Sequence, residues 1–410
     1  MDPVRNPYAP GAGQRPPELA GRDAELAAFE VVLERVAHGR PDRSIVLTGL
    51  RGVGKTVLLN ATRSAAVRRG WGSGKLEARP DQSLRWPVAA ALHVALRELT
   101  GVPASESRHV LGVLKSFAQC DGSRSAATTT GRPARSTTGG RPARPWQPGI
   151  DVPAVLGRAD SGDIEIDLVE LLVDVAGLAA GSGRGVALFV DEMQDVGPQD
   201  VSALCAACHE LSQQRLPLVL VGAGLPHLPA VLAASKSYSE RLFRYQRIDR
   251  LDRAAADAAL RLPALEEDAD FADEALDAMY IATSGYPYFI QAYGKVAWDI
   301  APRSPITAPD VQMAAPQAEA ELAVGFFGSR FERATPAERE YLRAMADLTV
   351  DDESIDIGTS AVAEALGRNA QSLSPARDAL LKKGLVYSGQ RGRIAFTVPH
   401  FGRYLQQQDA

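Results

Sequence analysis

Apolar residues recur along this chain in two rhythms that alternate with each other. Between Ala24 and His38, Leu26, Phe29, Leu33 and Val36 return every three or four residues, the stripe of an amphipathic helix with Asp23 near its start. The run Ser44 to Thr48 then predicts a buried strand, and a helix follows to Arg69. The pattern continues with a strand near Leu76 to Arg79 and helices over Ser83 to Leu99, Ser107 to Gln119 and Ile164 to Leu178. After these come a strand from Gly185 to Asp191, a helix from Val201 to Arg215, and strands at Leu216 to Gly222 and Tyr245 to Ile248. Strands that alternate with helices predict an α/β fold, a parallel sheet covered by helices on both faces.

Beyond Leu251 the strong signals are helical, which predicts an all-helical lid over 252–334. Over 335–410 the rhythm changes again. Helices at Pro336 to Leu348, Ser360 to Leu366 and Ser372 to Lys383 precede a hairpin of Gly384 to Tyr387 with Arg393 to Val398, a C-terminal winged helix. The first 18 residues are polar and rich in Pro and Gly, and are expected to be flexible before a nucleotide-binding core at 19–251. Inside that core, 121–148 shifts to Gly, Ser, Thr, Arg and Pro, and Gly131-Arg132-Pro133-Ala134-Arg135 recurs as Gly140-Arg141-Pro142-Ala143-Arg144. Such a segment lacks the apolar content to offset chain ordering, so a disordered insert is expected.

The chemistry lies at the joints of this pattern. Gly49-Leu50-Arg51-Gly52-Val53-Gly54-Lys55-Thr56 is a complete phosphate loop, and it stands between a strand and a helix, where backbone N–H groups can converge on an anion. The glycines Gly49, Gly52 and Gly54 allow the sharp turn, and the backbone through Val53 and Val57 completes the cradle. Lys55 is expected to reach the β- and γ-phosphates, and the Thr56 hydroxyl to ligate Mg²⁺. A second motif, Val186 to Val190 followed by Asp191-Glu192, puts two carboxylates at the end of a strand. Asp191 is placed to hold Mg²⁺ through water, and Glu192 to act as general base on the attacking water. A nucleoside triphosphate is therefore the expected ligand, with hydrolysis favoured over binding alone.

Composition narrows the remaining classes. The 410 residues carry a net charge of −5, so any attraction to nucleic acid must be local. From Thr359 to Gln408, seven Lys or Arg face two acidic residues, which points to DNA as a partner of the winged helix, with intramolecular packing as the alternative. No run of about 18 apolar residues and no charged-then-apolar leader is seen, so no membrane association and a cytoplasmic location are expected. Cys205-Ala206-Ala207-Cys208-His209 spells a haem-attachment pattern, but within a continuous helix it reads as a small-residue core face.

Taken together, Glu18-Leu19-Ala20-Gly21-Arg22, Gly49 to Thr56, Val190-Asp191-Glu192-Met193-Gln194 and Ser284-Gly285-Tyr286-Pro287 resemble AAA+ ATPases related to origin-recognition proteins and the neighbouring STAND and archaeal-type signalling ATPases. The resemblance runs from Glu18 to Leu405. It implies that Gly21 and Arg22 pack near the adenine, and that Pro287 of the lid contacts the nucleotide. Read locally, Arg22 is equally a surface charge at a helix start and Pro287 a helix break. Arg241 stands where such assemblies position a trans-acting arginine, which implies a homo-oligomer or a protein partner; a surface pair is the local alternative. Two departures stand out: Gly222-Ala223-Gly224 lacks a polar sensor, and the lid lacks an evident sensing arginine. Slow hydrolysis or a binding-controlled switch follows. Its alternatives are an ATP-liganded DNA-binding regulator without hydrolysis and a signalling scaffold whose winged helix contacts only protein.

Overall fold

The computed structural model describes residues 1–11, 13–99, 102–120, 152–349, 356–390, 392–398 and 400–407. The expected disordered insert, 121–148, lies outside the described residues. In the core, α1 (Asp23–Ala37), β1 (Ser44–Thr48), α2 (Lys55–Arg68), β2 (Gly72–Glu77), α3 (Arg85–Glu98) and α4 (Ala104–Gln119) come first. They are followed by α5 (Ile164–Gly181), β3 (Val186–Asp191), α6 (Pro198–Gln213), β4 (Leu218–Gly224), α7 (Leu228–Ser235), α8 (Ser239–Leu242) and β5 (Phe243–Arg247). The five strands are parallel in the order β2-β3-β4-β1-β5. Side chains alternate across it: Ile45, Leu47 and Phe189 join one apolar cluster, while Val46, Leu188 and Val190 join the other. Because Thr48 pairs with both Gly224 and Arg247, and Val190 with Gly222, the carboxyl ends of β1, β3, β4 and β5 form one edge.

Strand β2 begins at Gly72, earlier than the Leu76 expected from sequence. The glycines at its start make room for contact: a Cβ at Gly72 would lie 2.6 Å from the Ala95 carbonyl oxygen, and one at Gly74 2.4 Å from that of Ala91. Their absence of side chain lets α3 lie directly on the strand.

The helical region comprises α9 (Arg253–Glu266), α10 (Asp273–Thr283), α11 (Pro287–Ile300) and α12 (Ala308–Leu322), which runs through a π-helical turn, Ala323–Gly328, into α13 (Ser329–Glu332). The N-terminal residues, expected to be flexible, are fastened to it. Tyr8 is buried and its hydroxyl donates to the Leu260 carbonyl at 2.5 Å, the Trp298 indole donates to the Asp2 carbonyl at 2.8 Å, and Asn6 reaches Asp299 at 2.8 Å. Polar composition hid this, because the anchoring is done by one aromatic and a few directed hydrogen bonds.

A winged-helix module ends the chain: α14 (Pro336–Asp347), β6 (Ile357–Gly358), α15 (Thr359–Ala365), α16 (Ser374–Lys382), β7 (Val386–Tyr387), β8 (Arg393–Phe396) and α17 (Phe401–Gln407). Its strands form an antiparallel sheet, β6-β8-β7. Part of its basic excess is paired internally: Lys383 with Glu338 at 2.6 Å, Arg368 with Glu340 at 3.1 Å and Arg377 with Asp378 at 3.0 Å. Lys382 has no ion pair among the described residues. No helix among the described residues is long and apolar enough to cross a membrane.

Candidate nucleotide site

The phosphate loop leaves the carboxyl end of β1 and turns into α2 through Gly54, whose φ of 91° lies in the left-handed region open to glycine. Lys55 folds back over the loop, and its ammonium donates to the carbonyls of Gly49 at 2.9 Å and Leu50 at 2.7 Å. Burial drops the ammonium from its ordinary 10.5 to about 8, against the opposing pull of Glu192. A positive group in this position, desolvated and capped only by carbonyl dipoles, is suited to an anion.

At the end of β3, Asp191 is buried; its Oδ1 accepts from the Glu192 backbone N–H at 3.0 Å, and its Oδ2 lies 3.4 Å from the Lys75 ammonium. Lys75 also donates to Asn60 at 2.7 Å. Glu192 is held in a left-handed conformation, φ 48°, which costs a non-glycine residue about 1 kcal/mol or more. Its two oxygens are occupied: the Arg51 guanidinium lies 3.1 Å from Oε1, and the Gln194 amide donates to Oε2 at 2.6 Å. Gln194 in turn accepts from the Leu225 N–H at 3.1 Å, beside Gly224, where a Cβ would come within 2.8 Å of the amide oxygen. The Gln194 amide thus lies at the end of β4, bridging Glu192 and the Leu225 N–H. Nearby, burial and Glu192 raise the Asp195 carboxyl to about 6.

Of these groups Arg51, Lys55 and Glu192 line a cavity of about 320 Å³. Gly52 to Val57 form its floor, the segment from Ala9 to Ala20 one wall, and Pro287, Tyr288 and Gln291 of α11 another. The Tyr288 N–H donates to the Gly52 carbonyl at 3.2 Å, so the helical region rests on the phosphate loop itself. Arg330 of α13 also lines the cavity, with its guanidinium 4.3 Å from the Phe326 ring centroid. Burial, with Arg51 and Arg333 nearby, lowers that guanidinium to about 10, and it has no carboxylate partner among the described residues.

Residues 18–221 match the family model of the AAA ATPase domain. A walker-type ATPase of Pyrococcus abyssi is similar in structure at 13% identity, with 96% of this chain and 97% of that one covered and a TM-score of 0.56. The chain carries an AAA+ P-loop ATPase fold. The RuvB Holliday junction branch migration motor of Thermotoga maritima aligns with it less closely, at 16% identity, 94% and 96% coverage and a TM-score of 0.44. The Orc1 protein of Aeropyrum pernix, in complex with DNA, does so at 14% identity, 96% and 94% coverage and 0.42. Residues 324–405 match a domain of unknown function, DUF8462. Among curated proteins, none matches the sequence.

In this AAA+ fold the loop residues from Gly52 to Val57, Glu192 and Pro287 line one crevice, and Asp191 lies buried beside Glu192 at the end of β3. Arg22 is buried, not a surface charge: it donates to the Val53 carbonyl at 3.3 Å and to that of Asp249 at 2.5 Å, and so props the loop from behind. Gly21 stands back from the cavity against Ala255, where the first helix of the lid approaches. Gly49 likewise serves the backbone, its N–H donating to the Gly224 carbonyl at 3.2 Å. Arg241 is not brought to the crevice; it lies before β5, at the amino edge of the sheet, on the order of 16 Å away by strand rise. Cys205 and Cys208 are free and buried, and burial pushes the Cys208 thiol up to about 12, as a core thiol requires. Sequence reasoning missed Arg51, Lys75, Gln194 and Arg330; of these only Arg51 and Gln194 lie within the motifs, and neither spacing nor type marked them.

For Mg²⁺ the donor set is a hydroxyl, Thr56, and a buried carboxylate, Asp191, hard oxygens of the kind this ion takes alongside phosphate and water. No group of three or more His, Cys, Asp or Glu suited to a metal occurs among the described residues.

Proposed function

We propose that this protein is an Mg²⁺-dependent ATPase that works as a conformational switch, coupling its nucleotide state to the winged helix. One observation carries the reading. Arg51 sits inside the phosphate loop, its side chain binds Glu192, and its backbone N–H donates to the Thr397 carbonyl of the winged helix at 2.9 Å. The same turn therefore touches the phosphate cradle, the candidate base and the C-terminal module.

The chemistry follows from the charges. A triphosphate draws Lys55 from the Gly49 and Leu50 carbonyls and draws Arg51 and Arg330 onto its oxygens, where charge-assisted bonds replace carbonyl dipoles and a ring face. Release from Arg51 leaves Glu192, still steered by Gln194, free to take the proton of an attacking water. Mg²⁺, held by Thr56 and Asp191, supplies charge neutralisation at the phosphates. Any turnover that depends on protein concentration falls to Arg241 acting on a neighbour's nucleotide.

Calorimetry with ATP and Mg²⁺, run with Glu192→Gln alongside, tests this. Both proteins should bind ATP, and only the wild type should turn it over. No heat from ATP overturns the reading; binding without turnover leaves the regulator that uses ATP as a ligand. We place DNA as the partner of the winged helix on the basic excess alone. Because some of its cations already hold carboxylates, that affinity should be weak and strongly salt-dependent.

A further inference from the structure

A second cavity lies at the amino edge of the sheet, away from the nucleotide crevice. It encloses about 370 Å³ among the end of α1, the turn into β1, the end of α6, and α8. Its floor is apolar, from the buried Val36, Leu211 and Leu218 with the half-buried Leu216 and Leu242. Its rim carries four exposed guanidiniums, Arg40, Arg43, Arg215 and Arg241, and none of them has an ion pair among the described residues. The acid among them, Asp42, is already held by Arg35 at 2.7 Å and Arg244 at 3.4 Å. A protein of net charge −5 thus keeps an unneutralised basic rim around an apolar hollow. Such a surface fits a convex, acidic segment that carries aliphatic side chains.

The chain presents one. At the carboxyl end of α9, Leu262 and Leu265 are 44% and 51% exposed, three residues apart on one face, with Glu266 exposed beside them. From 266 to 274 the chain holds six carboxylates, Glu266, Glu267, Asp268, Asp270, Asp273 and Glu274. They meet two arginines, Arg5 on Glu267 and Asp268, and Arg261 on Asp270 and Asp273, so four negative charges remain in excess, with Glu266 and Glu274 outside any ion pair among the described residues. The helix terminus adds its own partial negative charge.

We infer that these two surfaces bind each other between copies of the chain, the acidic, leucine-bearing end of α9 entering the arginine-rimmed cavity of the next copy. α9 packs on α10 and α11, whereas the cavity is built from the core, so each copy offers both surfaces and the contact is heterologous, head to tail. Attraction between exposed charges makes it salt-sensitive. No residue of the crevice takes part except as a separate question for Arg241, so the inference stands or falls apart from the ATPase reading.

Sedimentation velocity on the full chain tests it, at about 50 µM protein in about 50 mM and about 500 mM salt. The wild type should associate at low salt and dissociate at high salt. Arg40→Glu with Arg43→Glu should weaken association by about tenfold or more, as should Glu266→Arg with Glu274→Arg, each variant retaining ATP binding as evidence of folding. Mixing the two variants should restore association, because each then offers the charge the other needs. A wild type that stays monomeric at low salt overturns the inference, and so does association unchanged in the arginine-reversed variant. ATP binding lost from the wild type would instead sink the nucleotide reading and leave this contact untouched.

Discussion

Replacing Lys55 by Met should stabilise the nucleotide-free protein while abolishing its response to ATP. Lys55 is held charged where burial has lowered it from 10.5 to about 8, which costs about 3 kcal/mol at neutral pH relative to the unfolded chain. Methionine keeps the stem and removes the charge. It also removes two hydrogen bonds to the Gly49 and Leu50 carbonyls, which face the crevice and can be rehydrated, so a net gain of about 1 to 2 kcal/mol is expected. The sign with pH is fixed. Between about 8 and about 10.5 the unfolded chain binds the proton that the folded chain has lost, so wild-type stability rises through that window. The variant should show no such rise.

Thermal melting with and without ATP and Mg²⁺ reads both effects. Without nucleotide the variant should melt higher by about 1 to 2.5 °C. ATP at about a hundredfold over its dissociation constant should stabilise the wild type by about 2.7 kcal/mol and leave the variant unmoved. A variant that melts below the wild type without ATP, or that ATP still stabilises, refutes the argument.

Arg330→Ala removes a guanidinium whose charge now rests on a ring face, so it should weaken ATP binding by about 10- to 100-fold in calorimetry without lowering the melting temperature. Lys383→Met should destabilise by about 1 to 2 kcal/mol in chemical unfolding, since it leaves the buried Glu338 carboxylate with only the Thr335 cap. Burial alone would raise Glu338, but Lys383 and Thr335 hold it below its ordinary value, so its contribution is present above about pH 4.3 and is lost as pH falls through the depressed folded value. Arg377→Ala with Lys382→Ala on α16 should flatten the salt dependence of DNA binding by about 2 in logarithmic slope; a slope unchanged in fluorescence anisotropy would remove α16 from the interface.

The parallel sheet, the lid and the winged helix were legible because each repeats a short-range pattern, and the phosphate loop because its chemistry is local. What escaped depends on distance in sequence. The start of β2 at Gly72 and Gly74 carries no apolar signal, and its place in the sheet becomes plain only where Ala91 and Ala95 lie on it. Gly222 to Gly224 read as a missing sensor, yet the glycine at 224 makes room for the Gln194 amide. Arg330 lies 275 residues beyond Lys55 (330 minus 55), in a helix of four residues that carries no motif. The N-terminal segment was misjudged for the opposite reason, since low hydrophobicity is a poor guide where one buried Tyr8 and a few directed bonds do the holding.

The contacts of the winged helix also indicate how the switch divides. It is joined to the helical region by stacked rings, Phe327 with Tyr404 at 5.1 Å and Phe327 with Phe401 at 6.0 Å, inside a continuous apolar cluster. To the phosphate loop it is joined by a hydrogen bond from Arg51 to Thr397, with Gly384 near the same guanidinium. A net hydrogen bond is worth about 1 kcal/mol, and a partly exposed charge-assisted pair such as Arg51 with Glu192 about 1 to 2. The Arg51–Glu192 pair joins two parts of the core, so exchange of the Arg51–Thr397 bond alone would shift the equilibrium between winged helix and core by about fivefold, whereas parting the ring cluster would demand several times that energy. On the proposed switch, the helical region and the winged helix stay joined through these rings, and Arg51, which touches both Glu192 and Thr397, is where a phosphate would act.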